Sequence, residues 1–133
     1  MKPLKFDEER AFQFIEEQVA FGPRPAGSTA HEKVQAYLSD KLSEIVDDFN
    51  PHIFEEKFFN KPCICKNIRG TIHGKNRKSR ILIGSHYDTR PYADEDSNPD
   101  NHKEPVLGAN DGASGIAVLL ELARIFNIKR PKC

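Results

Sequence analysis

Two runs decide how the chain is read: Ile81-Leu82-Ile83-Gly84-Ser85-His86-Tyr87-Asp88, and then Gly108-Ala109-Asn110-Asp111-Gly112-Ala113-Ser114-Gly115. Ile81 to Ile83 is a short apolar run closed by Gly84, too short for a helix. It predicts a strand buried on both faces, as in a parallel or mixed sheet. His86 and Asp88 then sit just past the carboxyl end of that strand. In open α/β sheets ligands bind at that edge. After the second run a long apolar helix pattern begins, so the fold class is read as α/β.

His-x-Asp has a mechanical meaning. A metal-bound imidazole needs its second ring nitrogen held, and a carboxylate two residues on can hold it. Asp111 opens the helix that follows, among residues small enough for close backbone approach, where a carboxylate could bind or bridge metal ions. Each residue also has a plainer reading: His86 as an ordinary strand-end histidine, Asp111 as a helix N-cap. A catalytic zinc needs three protein ligands and an open position, so one His and one Asp are an incomplete site. The two motifs together still point to a metal.

Residues Gly84 to Pro91 and Gly108 to Gly115 resemble metallopeptidase family twenty-eight, which holds zinc aminopeptidases and glutaminyl-peptide cyclotransferases. The loop from Tyr92-Ala93-Asp94 to Asn101-His102 resembles the bacterial cyclotransferase-like branch. Phe21-Gly22-Pro23-Arg24-Pro25-Ala26-Gly27-Ser28 resembles the family's amino-terminal segment. The likeness runs from Phe6 to Phe126. It implies a mixed β-sheet flanked by helices in three layers. Residues 1–133 would be the amino-terminal portion of one such domain, stopping before the remaining central strands. By the same resemblance His86 and Asp111 are metal ligands, Asp111 bridging two zincs in the aminopeptidases, and Asp88 orients His86. The implied cofactor is zinc, one or two ions.

The activity so implied is that of a zinc-dependent aminopeptidase-like metallohydrolase, attacking the N-terminus of a peptide or protein with metal-activated water. The alternative within the family is a glutaminyl-peptide cyclotransferase, forming N-terminal pyroglutamate and releasing ammonia. Both need a polarised carbonyl and a proton shuttle. The family's acidic pair, which supplies the general base, follows the next strand and has no match here. Glu8-Glu9, Glu16-Glu17 and Glu55-Glu56 all precede the His-x-Asp motif and do not take that role. The chain alone is therefore expected to be inactive. A reading of another class is a non-catalytic remnant or interaction module.

Composition bounds these readings. At 133 residues there is room for one small domain. With 20 basic and 20 acidic residues the net charge is zero, which removes the electrostatic argument for nucleic acid or an anionic membrane. The Lys75 to Arg80 cluster reads as a solvated turn. No apolar stretch is long enough to span a membrane. Met1 to Asp7 lacks the apolar core of a secretory signal, which points to the cytoplasm. Three cysteines suggest no disulfide framework.

The remaining segments frame the two motifs. Phe6 to Ala20 predicts a helix with Phe12, Ile15 and Val19 on its inner stripe. Pro23 and Pro25 break it. Thr29-Ala30-His31-Glu32 has capping-box spacing and opens a second helix to Val46, with Val34, Tyr37, Leu38, Leu42 and Ile45 on one face. Ile53 to Phe59 and Ile64 to Ile72 read as strands. Cys63-x-Cys65 with His73 nearby lacks a second ligand pair and reads as plain reduced cysteines. Residues 89–107 form a long loop expected to rim the site. Its Asp94, Asp96, Asn98 and Asp100 alternate like a calcium loop, but Pro99 and Pro105 stand where Gly and Glu should be, leaving an acidic rim. Gly112 to Phe126 predicts a helix buried on most sides.

Overall fold

The computed structural model describes residues 4–76 and 78–132. The opening Met1 to Pro3, Arg77 of the basic turn and Cys133 fall outside them. The class is α/β as expected, with helices α1 (Glu8–Val19), α2 (Thr29–Ser43) and α3 (Gly115–Ile128). The short strands are β1 (Asp48–Phe49), β2 (His52–Phe58), β3 (Lys61–Asn67) and β4 (Gly70–Thr71).

β1 pairs with β4 and β2 with β3, both antiparallel. Asp48 faces Thr71 and His52 faces Asn67, which is one unbroken register, so the two pairings form a single twisted ribbon. The interruption falls at Pro51, which has no N–H to give to a ladder. The ribbon turns at Phe59 and Asn60, both at positive φ (48° and 61°), the backbone of a two-residue hairpin turn. Cys63 is the one buried residue of β2 and β3, so the ribbon lies on the molecule rather than in it. It is docked by side chains: Gln35 Nε2 donates to Ile64 O (3.2 Å) and Tyr87 Oη to Lys66 O (2.7 Å).

The strand expected at Ile81 to Ile83 is not formed. No regular structure covers residues 81–88, and Leu82 is 96% exposed. A strand buried on both faces needs a partner ladder and covering side chains, and among the described residues both ribbon strands already pair with each other. The apolar run is there, but nothing in these residues covers it.

Helix faces are set by which neighbours they meet. α2 begins at Ser28, whose Oγ accepts from His31 N (3.1 Å), one residue earlier than the capping-box spacing suggested. It buries His31, Val34, Gln35 and Leu38. Val34 and Leu38 meet Ile116 and Leu120 of α3, and this four-residue cluster is the core. Phe14, Phe21, Tyr37, Leu42, Ile68, Tyr87 and Leu119 pack around it. α1 buries Ala11 and Gln18, with Phe14 toward the core, while Phe12 is 61% exposed. The inner stripe is therefore 11, 14 and 18 rather than 12, 15 and 19. The small Ala11 and the amide of Gln18, which donates to Ala113 O (3.1 Å), allow α1 to lie close to α3 and the turn before it. α3 itself buries one face only, Ile116, Ala117, Leu120 and Glu121, and leaves Val118 and Ile128 exposed.

Glu121 is fully buried and bridges elements: Asp7 N donates to its Oε1 (2.9 Å) and Arg124 Nε to its Oε2 (2.8 Å). The Arg124 bond holds its carboxyl below the usual glutamate value against the opposing effect of burial. At the far side, Arg130 pairs with Asp47, and residues 75–76 donate backbone hydrogen bonds to the carbonyls of Pro131 and Lys132. No helix among the described residues is long and apolar enough to cross a membrane.

Candidate metal centre

His86 stands between two carboxylates. Its Nδ1 lies 3.2 Å from both Asp88 Oδ1 and the Asp88 carbonyl oxygen. Its Nε2 lies 2.9 Å from Asp111 Oδ1. All three side chains are about half exposed, on one face of the molecule. With Nδ1 facing Asp88, Nε2 is the atom placed to ligate a metal beside Asp111.

The local backbone explains this meeting. Residues Ala109–Ser114 coil tightly but not helically: Asp111 (φ −79°, ψ 107°) and Gly112 (φ 98°, ψ −64°) turn the chain out of the helix. The residue before α3 is Ser114, with no side-chain cap bond, so Asp111 is not the N-cap that its plainer reading supposed. Its carboxylate is carried toward His86 instead. A side chain at Gly112 would sit 2.9 Å from Asp88 O and 3.5 Å from His86 Cε1, so glycine there permits both the left-handed backbone and the close approach. Gly108 (φ 60°) does the same at the start of the turn, where a Cβ would meet Asp111 O at 2.6 Å.

One group behind the turn belongs to neither motif. Arg24 is fully buried, and among the described residues its guanidinium donates only to backbone carbonyls: Tyr87 O (3.3 Å), Gln18 O (3.2 Å), Gly22 O (3.0 Å), Leu107 O (3.0 Å) and Gly108 O (3.1 Å). The backbone joins in, with Arg24 N donating to Thr89 Oγ1 (2.8 Å) and Thr89 N to Arg24 O (3.1 Å). Burial pushes Arg24 below the usual guanidinium value, and the nearby Asp88 charge opposes that. The available signal was an arginine between two prolines, a cation in a segment of fixed backbone. Tyr87, between the two motif residues, is half-buried and stacks on His31 with ring centroids 5.4 Å apart. Burial raises its phenol to about 12, so it remains a donor to the ribbon.

The donor set suits zinc in type. Two zinc bonds of ~2.0–2.1 Å at a tetrahedral angle need nitrogen and oxygen about 3.4 Å apart. The 2.9 Å contact is within about half an ångström of that, a small side-chain rotation. His86 and Asp111 thus fit as part of a metal shell. Among the described residues no third His, Cys, Asp or Glu joins them. Cys63 and Cys65 lie with Sγ atoms 3.7 Å apart, away from His73, which pairs with Asp48. The acidic loop is held by its own turns: Asp96 Oδ1 accepts from Asn98 N (2.8 Å) and Asn98 Oδ1 from Asp100 N (3.1 Å).

Residues 67–132 match the model of Peptidase family M28. A probable zinc metalloprotease of Pyrenophora tritici-repentis is 33% identical over 89% of this chain, and the match spans 30% of that relative. Among solved structures, a leucine aminopeptidase precursor from Bacteroides thetaiotaomicron superposes with a TM-score of 0.88 at 36% identity. That match covers 98% of this chain and 45% of the other. A glutaminyl cyclase of the same organism, bound to N-acetylhistamine, gives 0.86 at 35% identity, with the same two coverages. The chain therefore spans less than half the length of these proteins, and its α/β fold is that of their zinc-aminopeptidase-like class.

Proposed function

The chain belongs to Peptidase family M28, and from that membership we propose a zinc-dependent aminopeptidase-like metallohydrolase acting on peptide N-termini. The observation that carries the reading is the His86 imidazole, fixed by Asp88 and aimed at Asp111. Zinc at such a site supplies Lewis-acid polarisation of a carbonyl and acidifies a bound water. The chain's own part is to present Nε2 of His86 and a carboxylate oxygen of Asp111 as ligands. In a metal-loaded site Asp88 would hold the Nδ1 proton of His86, leaving Nε2 to the metal. A general base is not identified among these residues, and the full activity belongs to the whole protein. Zinc number and substrate are part of the same proposal: one or two ions, and a peptide or protein N-terminus.

A second reading has its own support. The solved relatives include glutaminyl cyclases from Bacteroides thetaiotaomicron and Tannerella forsythia, at 35% identity each. In that reading the substrate's own α-amine closes on the side-chain amide of an N-terminal glutamine and ammonia leaves. Two assays on the zinc-loaded native protein separate the readings. Release of aniline from an aminoacyl anilide supports the peptidase. Ammonia from a Gln-initiated peptide supports the cyclase. Silence in both supports a non-catalytic module. In the aminopeptidase reading His86→Ala and Asp111→Ala should each raise the zinc dissociation constant by at least about tenfold; in the cyclase reading Asp111→Ala should do so. Unchanged zinc content in both variants would refute the site.

A further inference from the structure

We propose that Arg24 is a positioning residue that sets the distance between the two halves of the metal centre. The inference rests on the zinc reading above but has a readout of its own. The halves come from segments distant in sequence: His86 and Asp88 from the irregular run after Ile83, Asp111 from the turn before α3. No ladder joins them, because residues 81–88 pair with no strand among the described residues. Something else must fix their separation, and the guanidinium of Arg24 lies between them.

One edge of the fork reaches Tyr87 O, the residue between His86 and Asp88. Another reaches Leu107 O and Gly108 O, the carbonyls that lead into the Asp111 turn. The third anchor is the end of α1, through Gln18 O and Gly22 O. Five carbonyls on one planar group form a rigid three-way junction, which an ammonium with three donors cannot span. Thr89 repeats the link through backbone and hydroxyl, clamping the chain just past Asp88.

The burial also needs explaining. A cation with no exposed surface is costly unless its donors are satisfied. Here carbonyl dipoles satisfy it, and among the described residues no carboxylate is hydrogen-bonded to the guanidinium. The Asp88 charge acts on it only through space. The orienting carboxylate of His86 is thus free to face the imidazole. A guanidinium that merely filled space could be exchanged for an apolar chain of equal size without moving the site, whereas one that spaces the two arms could not.

The test uses the native protein with Arg24→Lys and Arg24→Met, and Val34→Ala as a destabilised control whose side chain lies in the core away from the centre. Zinc alone is the probe, its dissociation constant measured by competition with a chromogenic chelator. Arg24→Lys and Arg24→Met should raise that constant about 10- to 100-fold, as loss of a ligand's support does. Val34→Ala, matched for loss of melting temperature, should leave it within about twofold. Equal effects in all three would overturn the proposal in favour of plain destabilisation. The second readout is the pair of imidazole nitrogen shifts of His86 in metal-free protein. Both Arg24 variants should move them toward the values of Asp111→Ala, and Val34→Ala should not. Unchanged shifts would overturn the proposal. If wild type binds no zinc while the shifts still move, the zinc reading fails and the positioning role stands.

Discussion

At the scale of single residues, the centre depends on groups that do no chemistry. Gly112 holds φ at 98° with Asp88 O 2.9 Å from where a Cβ would be. Gly112→Ala should therefore cost about 1–3 kcal/mol of stability, read as a lower urea midpoint, and should also separate His86 from Asp111. A variant as stable as wild type would show that the turn relaxes freely. The chemistry-bearing residues were legible: a His-x-Asp past an apolar run and an Asp in a small-residue run announce themselves by type and spacing. The geometry between them was not. Spacing along the chain does not reveal that Asp111 leaves helical values, nor that a buried arginine reaches carbonyls on both sides of the turn.

At the scale of elements, the helices were found close to their observed ends, but two of their faces were misread. Phe12 is exposed and Ala11 is buried, because α1 meets α3 and the Asp111 turn at close range, where a small residue fits better than an aromatic one. Leu120→Ala should cost about 2–5 kcal/mol by opening the four-residue core. Phe12→Ala should change stability by less than about 0.5 kcal/mol. Chemical denaturation of both distinguishes the observed stripe from the one the sequence suggests. The α1–α3 junction also carries a pH dependence. The Glu121 carboxyl is held below its ordinary value of 4.5, chiefly by Arg124. Its contribution is complete above the unfolded value and is lost as the pH falls through the depressed folded value. Wild type should lose more stability than Glu121→Gln between pH 6 and pH 3. Parallel losses would place the acid sensitivity elsewhere.

At the scale of the whole molecule, the apolar run at Ile81 to Ile83 is the part that most needs a neighbour. Its residues are apolar enough for a buried strand, and their pattern predicts one. What composition could not supply is the partner, since pairing depends on chain that lies alongside, and among the described residues none does. Leu82 is 96% exposed. Residues 1–133 on their own should associate in a concentration-dependent way by sedimentation, and Leu82→Lys should reduce it. A monomer with a sharp melt would contradict this. The α/β class and the relation to zinc aminopeptidases were legible because long glycine-rich motifs survive in sequence, whereas the ribbon's single register emerged only from pairing. The central claim is that His86 and Asp111 hold a metal. X-ray absorption at the zinc edge of the loaded protein tests it most directly, with Asp111→Ala as the difference sample. The account predicts nitrogen and oxygen neighbours at ~2.0–2.2 Å, with loss of one oxygen in the variant. A sulfur shell at ~2.3 Å would place the ion at Cys63 and Cys65 and contradict it.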